Sequence, residues 1–175
     1  ESLDAVVKLN PDKIVKVSNT KELLEAVDQN KIAAMFGVEG GHMIENDLEK
    51  LEVFYNRGAR YMTLTWNNST EWASSAFDET FTEDLQHKGL TDFGKQIVHK
   101  MNQLGMIVDI SHVGIQTFWD VINTTTKPIM ASHSSVYALC KHQRNLNDDQ
   151  IKAIAKNGGV IQINFHPGFI DPSFD

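Results

Sequence analysis

The chain has 175 residues and a formal net charge of −7, with charged residues at 22%. Because no lysines or arginines cluster to meet phosphate, the composition argues against nucleic-acid binding. Hydrophobic residues make up 41% of the sequence, which is ordinary for a globular domain with a sizeable core. No apolar run approaches the roughly 20 residues that span a bilayer, and one cysteine, Cys140, excludes an internal disulfide. The sequence leaves the cellular compartment open.

The first part of the chain predicts two strand–helix units. A short strand is expected at residues 14–17, followed by a helix capped within residues 18–20. The apolar run at 32–38 is continuous, which is typical of a strand covered on both faces. A second helix is expected at 47–56 with Asn46 as its cap.

The rest of the chain continues the same alternation. Residues 66–89 are polar and aromatic without a period, and a loop of that length in a compact domain is usually functional or poorly ordered. The remaining strands are expected at 60–65, 106–112, 128–133 and 159–165. One helix is expected to begin after Thr91, one lies between the two strands that end in histidine, and one begins after Asn147.

Alternating strands and helices predict parallel strands with right-handed crossovers. About five core strands are expected. A closed eight-stranded barrel needs about 250 residues, so 175 residues are too few for one. The pattern therefore allows two arrangements, a small open doubly wound sheet or the middle of a barrel whose ends lie elsewhere. The chain begins without Met, and we expect that it was processed, trimmed or cut from something longer.

Three side chains suited to a divalent metal directly follow predicted strands: Glu39, His112 and His133. Parallel strand ends meet at one edge of a sheet, where α/β proteins place their chemistry. Imidazole nitrogen and carboxylate oxygen suit zinc, and a carboxylate can bridge two metals about 3.5–4 Å apart. A single histidine at a strand end is more often structural, whereas two beside a carboxylate agree equally well with a metal site and with structural roles. Gly40 and Gly41 let the backbone turn sharply after Glu39.

Other polar and aromatic residues near these strand ends have two interpretations each. Asp109 is either a hydrogen-bonding partner of a ligand histidine or a structural carboxylate. Arg144 is either a fork for a substrate carboxylate or a surface charge. Trp66 and Trp72 either line a pocket or cover the edge of the barrel, and His166 is a further ligand candidate after the last strand.

Five sequence blocks together resemble one known family, the membrane (renal) dipeptidases, peptidase family M19 of the amidohydrolase-like superfamily. The resemblance covers about residues 14–166. It implies a (β/α)8 TIM barrel, of which this chain would cover about five strand–helix units, so that residues 1–175 would form the central part of one barrel domain without its first and last strands. The blocks are Gly-Val-Glu-Gly-Gly-His at 37–42, Arg-Tyr-Met-Thr-Leu-Thr at 60–65, Asp-Ile-Ser-His-Val at 109–113, Ser-His-Ser-Ser at 132–135 and Arg-Asn at 144–145.

The resemblance also implies a zinc-dependent dipeptidase with two zinc ions. In such an enzyme a metal-bridging hydroxide attacks the peptide carbonyl of the dipeptide. Glu39 falls on the catalytic position that bridges both metals, and His112 and His133 fall on ligands of the second metal. Arg144 falls on the residue that binds the C-terminal carboxylate of the substrate. Trp66 stands where renal members carry a histidine that contacts the substrate.

Two family features have no counterpart in this sequence, the His-x-Asp of the first strand and the aspartate after the last strand. We therefore expect this chain alone to hold about half of a site and to have little activity. Exposed strand edges predict either a homodimer or a second chain that completes the barrel. Two alternative functions remain, a non-catalytic binding or assembly module, which Trp66 favours, and an amidohydrolase acting on acylated amino acids or lactams.

Overall fold

The computed structural model describes residues 2–174, in which helices alternate with parallel strands. The strands are β1 (Ile14–Lys16), β2 (Ile32–Ala34), β3 (Phe36–Glu39), β4 (Ala59–Thr63), β5 (Ile107–Asp109), β6 (Met130–Ser134) and β7 (Val160–Ile163). The helices are α1 (Ser2–Leu9), α2 (Thr20–Asp28), α3 (Leu48–Asn56), α4 (Ala76–Phe81), α5 (Asp92–Leu104), α6 (Ile115–Thr124), α7 (Asp148–Asn157) and α8 (Pro167–Ile170). Short 3-10 helices lie at Gly41–Ile44 and Pro172–Phe174.

The main sheet has five parallel strands in the order β3-β4-β5-β6-β7, and β1 and β2 form a separate parallel pair. Strands that follow one another along the chain are neighbours throughout the main sheet. A doubly wound sheet would reverse its strand order at a switch point. Helices α3, α5, α6 and α7 pack on one another in succession, as in the outer helical layer of a barrel. The predicted barrel-type fold, present in part, is confirmed.

The hydrophobic core lies between this layer of helices and the sheet. Trp72 and Phe118 are its largest fully buried side chains, and α5 and α6 contribute Ile97, Met101 and Val121. Burial of such side chains contributes about 25 cal/mol per Å² of apolar surface. The packed helices hold the strands in register, so the carboxyl ends of β3 to β6 come to one edge.

The predicted single strand at residues 32–38 is wrong. The run divides at Met35 into β2 and β3, which belong to different sheets. The expected cover on both faces is also absent within residues 2–174, since Ile32 is 65% exposed and Met35 is exposed as well. A continuous apolar run has no feature that separates one strand from two consecutive ones.

Three smaller differences concern helices. The polar residues before β1 form α1, which the pattern did not predict, and α4 lies inside the predicted loop at 66–89. Helix α4 has six residues, too few for a helical period to show. Helix α3 is capped by Asp47, whose side chain accepts a hydrogen bond from the Glu49 amide at 2.7 Å. Asn46, the predicted cap, instead adopts a left-handed backbone with φ of 58°.

The other predicted helix starts are confirmed. Thr91 caps α5 by accepting from the Gly94 amide. Asn147 and Gln150 form a reciprocal capping box at the start of α7, which satisfies amide groups that the first turn leaves free. In residues 2–174, none of the helices combines the length and apolarity needed to cross a membrane.

The outer strands of the main sheet, β3 and β7, lead us to expect self-association of the 175-residue chain, because open strand edges pair with other chains. Ile163 on β7 is exposed, and Ile163→Lys should shift the chain toward monomer by placing a charge at that edge. Size-exclusion chromatography with light scattering over a concentration series measures this. Leu9→Lys on α1 is the control, and a wild-type chain that stays monomeric would contradict the expectation.

Candidate metal site

Glu39, His112 and His133 converge at the carboxyl edge of the main sheet. One ligand atom from each residue lies within 4.8 Å of the others. The two Nε2 atoms are 2.9 Å apart, and Glu39 Oε1 lies 3.3 Å from the His112 Nε2 and 3.6 Å from the His133 Nε2. The sheet brings them together, since Glu39 is in register with Thr63 on β4, and Thr63 with Asp109 on β5.

The two glycines after Glu39 determine the direction in which the backbone leaves β3. Gly40 has a φ of 101°, a backbone conformation that residues other than glycine rarely adopt. A Cβ on Gly41 would lie 2.5 Å from the Leu64 carbonyl oxygen and 2.4 Å from the Trp72 ring. The backbone therefore leaves β3 tightly against β4, and the exposed Glu39 carboxylate is kept beside the histidines.

His112 is held in a strained backbone conformation. Its φ is 68°, in the left-handed region, where a non-glycine residue costs of order 1–3 kcal/mol. The side chain is only 6% exposed. The Nδ1 atom lies 3.1 Å from Asn67 Oδ1, and the ring of Trp66 stacks nearby with its centroid 6.3 Å away. These contacts direct the His112 Nε2 toward His133 and Glu39.

Asp109 connects the strand ends around the second histidine. It is fully buried and accepts hydrogen bonds from Thr63 Oγ1 at 2.6 Å, the Ser111 amide at 3.0 Å, the Ser132 amide at 2.9 Å and Ser132 Oγ at 2.5 Å. Ser132 Oγ in turn lies 2.7 Å from His133 Nδ1. Asp109 is thus linked to a ligand candidate through one hydroxyl, which joins the two roles considered from the sequence.

The arrangement of the rings fits a bound cation. The Nδ1 atoms lie next to Asn67 Oδ1 and Ser132 Oγ, and the two Nε2 atoms face each other and Glu39. The two Nε2 atoms are 2.9 Å apart, a separation that requires a proton or a metal ion between them because two facing lone pairs would repel each other. Imidazole nitrogens and a carboxylate oxygen are ligands suited to divalent transition metals.

Burial and positive charge keep both histidines neutral. The pKa of His112 falls to about 3, first because of burial and then because of the Arg144 guanidinium and His133. The pKa of His133 is also lowered, by burial and then by Arg144, although Asp109 and Glu39 oppose this. Neutral imidazole is the form that binds metal.

Arg144 is buried at 8% exposure, so the surface-charge interpretation of this residue is wrong. Within residues 2–174, its Nε and Nη2 atoms make no hydrogen bond. The guanidinium carbon lies 5.4 Å from the centroid of the Phe169 ring. Burial lowers the Arg144 pKa to about 10, against the effect of Asp109 and Glu39. Arg144 lowers the pKa of both histidines, and two of its donors, Nε and Nη2, have no partner among residues 2–174.

The remaining candidates divide between the site and the core. Trp66 is 49% exposed and borders the cluster through His112. Trp72 is buried in the core, and His166 packs against Phe169 with ring centroids 4.8 Å apart, outside the cluster. Asn67, which bonds to His112, was missed by the sequence analysis. The feature of the sequence that could have indicated Asn67 is its position directly after Trp66, at the end of the strand expected at 60–65.

A parallel strand–helix sheet that collects one carboxylate and two histidines at its carboxyl edge has the architecture of a metal-dependent hydrolase barrel. The model of one such family, described as membrane dipeptidase (peptidase family M19), matches residues 1–174. The chain belongs to this family of metallopeptidases.

Similarity to one further protein and to two solved structures supports this assignment. An uncharacterized dipeptidase of Schizosaccharomyces pombe is 36% identical over 178 residues, which cover 97% of this chain and 41% of the relative. A Pseudomonas aeruginosa amidohydrolase is 28% identical with a TM-score of 0.85, over 99% of this chain and 51% of that one. A Rhodobacter sphaeroides metallopeptidase, liganded with a phosphinate mimic of the dipeptide L-Ala-D-Ala, is 25% identical with a TM-score of 0.85, over 96% and 48%. The chain spans about half the length of these relatives or less.

The pKa of His112 predicts a pH-dependent stability of the metal-free chain. The folded value of about 3 lies below the ordinary 6.5, so between these pH values the unfolded chain binds more protons at this site. The free energy of unfolding that depends on the neutral His112 ring is complete above about pH 6.5 and is lost as the pH falls toward 3. Wild type should therefore lose more unfolding free energy than His112→Gln on going from about pH 7 to about pH 4.5.

Urea unfolding in the presence of a chelator measures this difference. His99→Gln is the matched control, because His99 is exposed on helix α5. A difference between wild type and His112→Gln that does not change with pH would contradict the assignment of a buried neutral imidazole.

Proposed function

We propose that Glu39, His112 and His133 bind zinc, and that the protein that contains this chain hydrolyses dipeptides. The observation that carries the proposal is the convergence of three ligand atoms within 4.8 Å in a chain of the membrane dipeptidase family. The donor set of two imidazole nitrogens and one carboxylate oxygen suits zinc. The dipeptide mimic bound to the Rhodobacter sphaeroides relative supports the substrate class.

Bound zinc would supply a water that ionises near neutral pH and would polarise the carbonyl of the scissile bond. The chain's own residues prepare the site for it. His112 and His133 present neutral rings, since burial lowers the pKa of both. Glu39 directs Oε1 at both histidines, and by the family resemblance its carboxylate would help to hold both metal ions.

We infer that Arg144 binds the C-terminal carboxylate of the substrate. The Nε and Nη2 atoms, which lack partners in the described residues, form one edge of the guanidinium, and such an edge pairs with both oxygens of a carboxylate. Leaving a buried cation unpaired is unfavourable. A substrate carboxylate would satisfy it and fix the orientation of the dipeptide beside Glu39 and the histidines. Trp66, half-exposed at the border, would contact the substrate.

We further infer that residues 1–175 form the central part of one barrel domain. The structure brings together one group of three ligand side chains within residues 2–174. A second zinc ion would then take its other ligands from parts of the barrel that relatives have and this chain does not span. On this proposal the 175-residue chain hydrolyses dipeptides slowly or not at all.

An amidohydrolase acting on acylated amino acids or lactams is the second candidate. Such substrates share an amide bond with dipeptides, and an N-acyl amino acid also carries the carboxylate that Arg144 would bind. The Pseudomonas aeruginosa relative described as an amidohydrolase favours it. Comparing hydrolysis rates of dipeptides and N-acyl amino acids separates the two. The binding-module alternative predicts hydrolysis of neither.

The first test is zinc binding by the 175-residue chain. We expect wild type to bind zinc and His112→Ala to lose at least tenfold in affinity, because one of three ligands is gone. Competition with a chromophoric chelator measures the affinity, and His99→Ala is the control. Unchanged affinity in His112→Ala would show that His112 is structural. Rapid dipeptide turnover by this chain with added zinc would contradict the incomplete site.

The second test concerns Arg144 in the full-length enzyme. Arg144→Gln should lower kcat/KM for a dipeptide by about 10–100-fold, because a charge-assisted hydrogen bond contributes about 1.5–3 kcal/mol. The same variant should change little for the dipeptide with an amidated C-terminus, which lacks the carboxylate. Equal losses for both substrates would show that Arg144 does not bind the carboxylate.

A further inference from the structure

The hydroxyl of Ser132 lies between a buried carboxylate and a ring nitrogen of His133. Its Oγ is 2.5 Å from Asp109 Oδ2 and 2.7 Å from His133 Nδ1. A hydroxyl has a single proton to donate and two lone pairs to accept with. The direction of that proton therefore decides which nitrogen of His133 carries hydrogen.

The surroundings of Asp109 determine that direction. Each oxygen of the Asp109 carboxylate accepts two hydrogen bonds. Oδ1 accepts from the backbone amides of Ser111 and Ser132, and Oδ2 accepts from the hydroxyls of Thr63 and Ser132. A carboxylate only accepts, so Ser132 gives its proton to Asp109. The Ser132 oxygen must then accept at its other side, and His133 Nδ1 must be the donor.

Ser111 is consistent with the same assignment. Its Oγ accepts from the His133 amide at 2.9 Å, and it lies 3.3 Å from Ser132 Oγ. With its own proton free, the Ser111 hydroxyl can donate to the second lone pair of Ser132. Every proton in the network then has one acceptor, and no two donors face each other.

The corresponding contact of His112 lacks this constraint. Its partner Asn67 has a side-chain amide, which can present either oxygen or nitrogen. The Asp109 carboxylate and the Ser132 hydroxyl offer His133 no choice between a donor and an acceptor. The fixed member of the pair is therefore His133.

We propose that Ser132 and Asp109 are positioning residues that hold His133 in the tautomer protonated at Nδ1, so that the Nε2 lone pair is presented to the metal. This inference rests on the proposed zinc site. Neither residue belongs to the group of proposed metal ligands, and both act through His133. Hydrogen-bonding partners of this kind typically change metal affinity by about 10–100-fold.

The test uses the 175-residue chain and three variants. Ser132→Ala removes the acceptor of the His133 Nδ1 proton, and Ser132→Thr restores a hydroxyl at the same place. Ser135→Ala is the matched control, since its hydroxyl bonds to the Asn164 carbonyl, away from the histidines. Nitrogen-15 NMR of the histidine rings in chelator-treated protein reports the tautomer, and chelator competition reports zinc affinity.

We expect His133 to be protonated at Nδ1 in wild type, in Ser132→Thr and in Ser135→Ala, and to lose this single tautomer in Ser132→Ala. Zinc affinity should fall about 10–100-fold in Ser132→Ala alone. An Nε2-protonated His133 in wild type, or equal zinc affinity in Ser132→Ala and Ser135→Ala, would overturn the inference. If wild type binds no zinc, the proposed function fails, and the tautomer measurement still decides the role of Ser132.

Discussion

The hydrogen bonds of the Asp109 carboxylate hold three strand ends together at the edge where the chemistry lies. After the backbone bond from the Ile110 amide to the Met130 carbonyl at 2.8 Å, side chains connect β5 and β6: the Asp109 carboxylate accepts from the Ser132 amide, and the Ser111 hydroxyl accepts from the His133 amide. Thr63 extends the connection to β4. A buried carboxylate is stable only when its oxygens are bonded, so the polar chains of these strands have to converge on it.

The charges around the cluster follow from the same geometry. Burial lowers the pKa values of His112 and His133, and the guanidinium of Arg144 lowers them further. Asp109 and Glu39 oppose the shift for His133 and favour the charged form of Arg144. The rings therefore remain neutral while a cation lies close by. On the proposed function, this edge would bind a metal ion through the neutral imidazole nitrogens and the substrate carboxylate through Arg144.

The sequence predicted the parts of this molecule that depend on short-range patterns. Apolar runs and capping residues such as Thr91 and Asn147 identified most strands and helices, and the residues after the strands predicted which side chains would meet. The division of the 32–38 run into β2 and β3 depends on which strands each part pairs with, and that pairing is decided by tertiary structure. Three features arise only when distant segments pack: the left-handed backbone at His112, the contact from Asn67, and the Nε and Nη2 atoms of Arg144, which lack partners among residues 2–174.

The position of the network along the chain also bears on how the molecule folds. Asp109, His112, Ser132 and His133 all belong to one strand–helix–strand unit, and the two histidines are 21 residues apart. The entropic cost of closing a loop grows slowly with its length, by about 0.6 kcal/mol for each doubling. Contacts of low sequence separation form early. The histidine half of the cluster therefore depends on contacts within one unit, whereas Glu39 joins it from β3, and a metal ion bound to the folded chain would add to its stability.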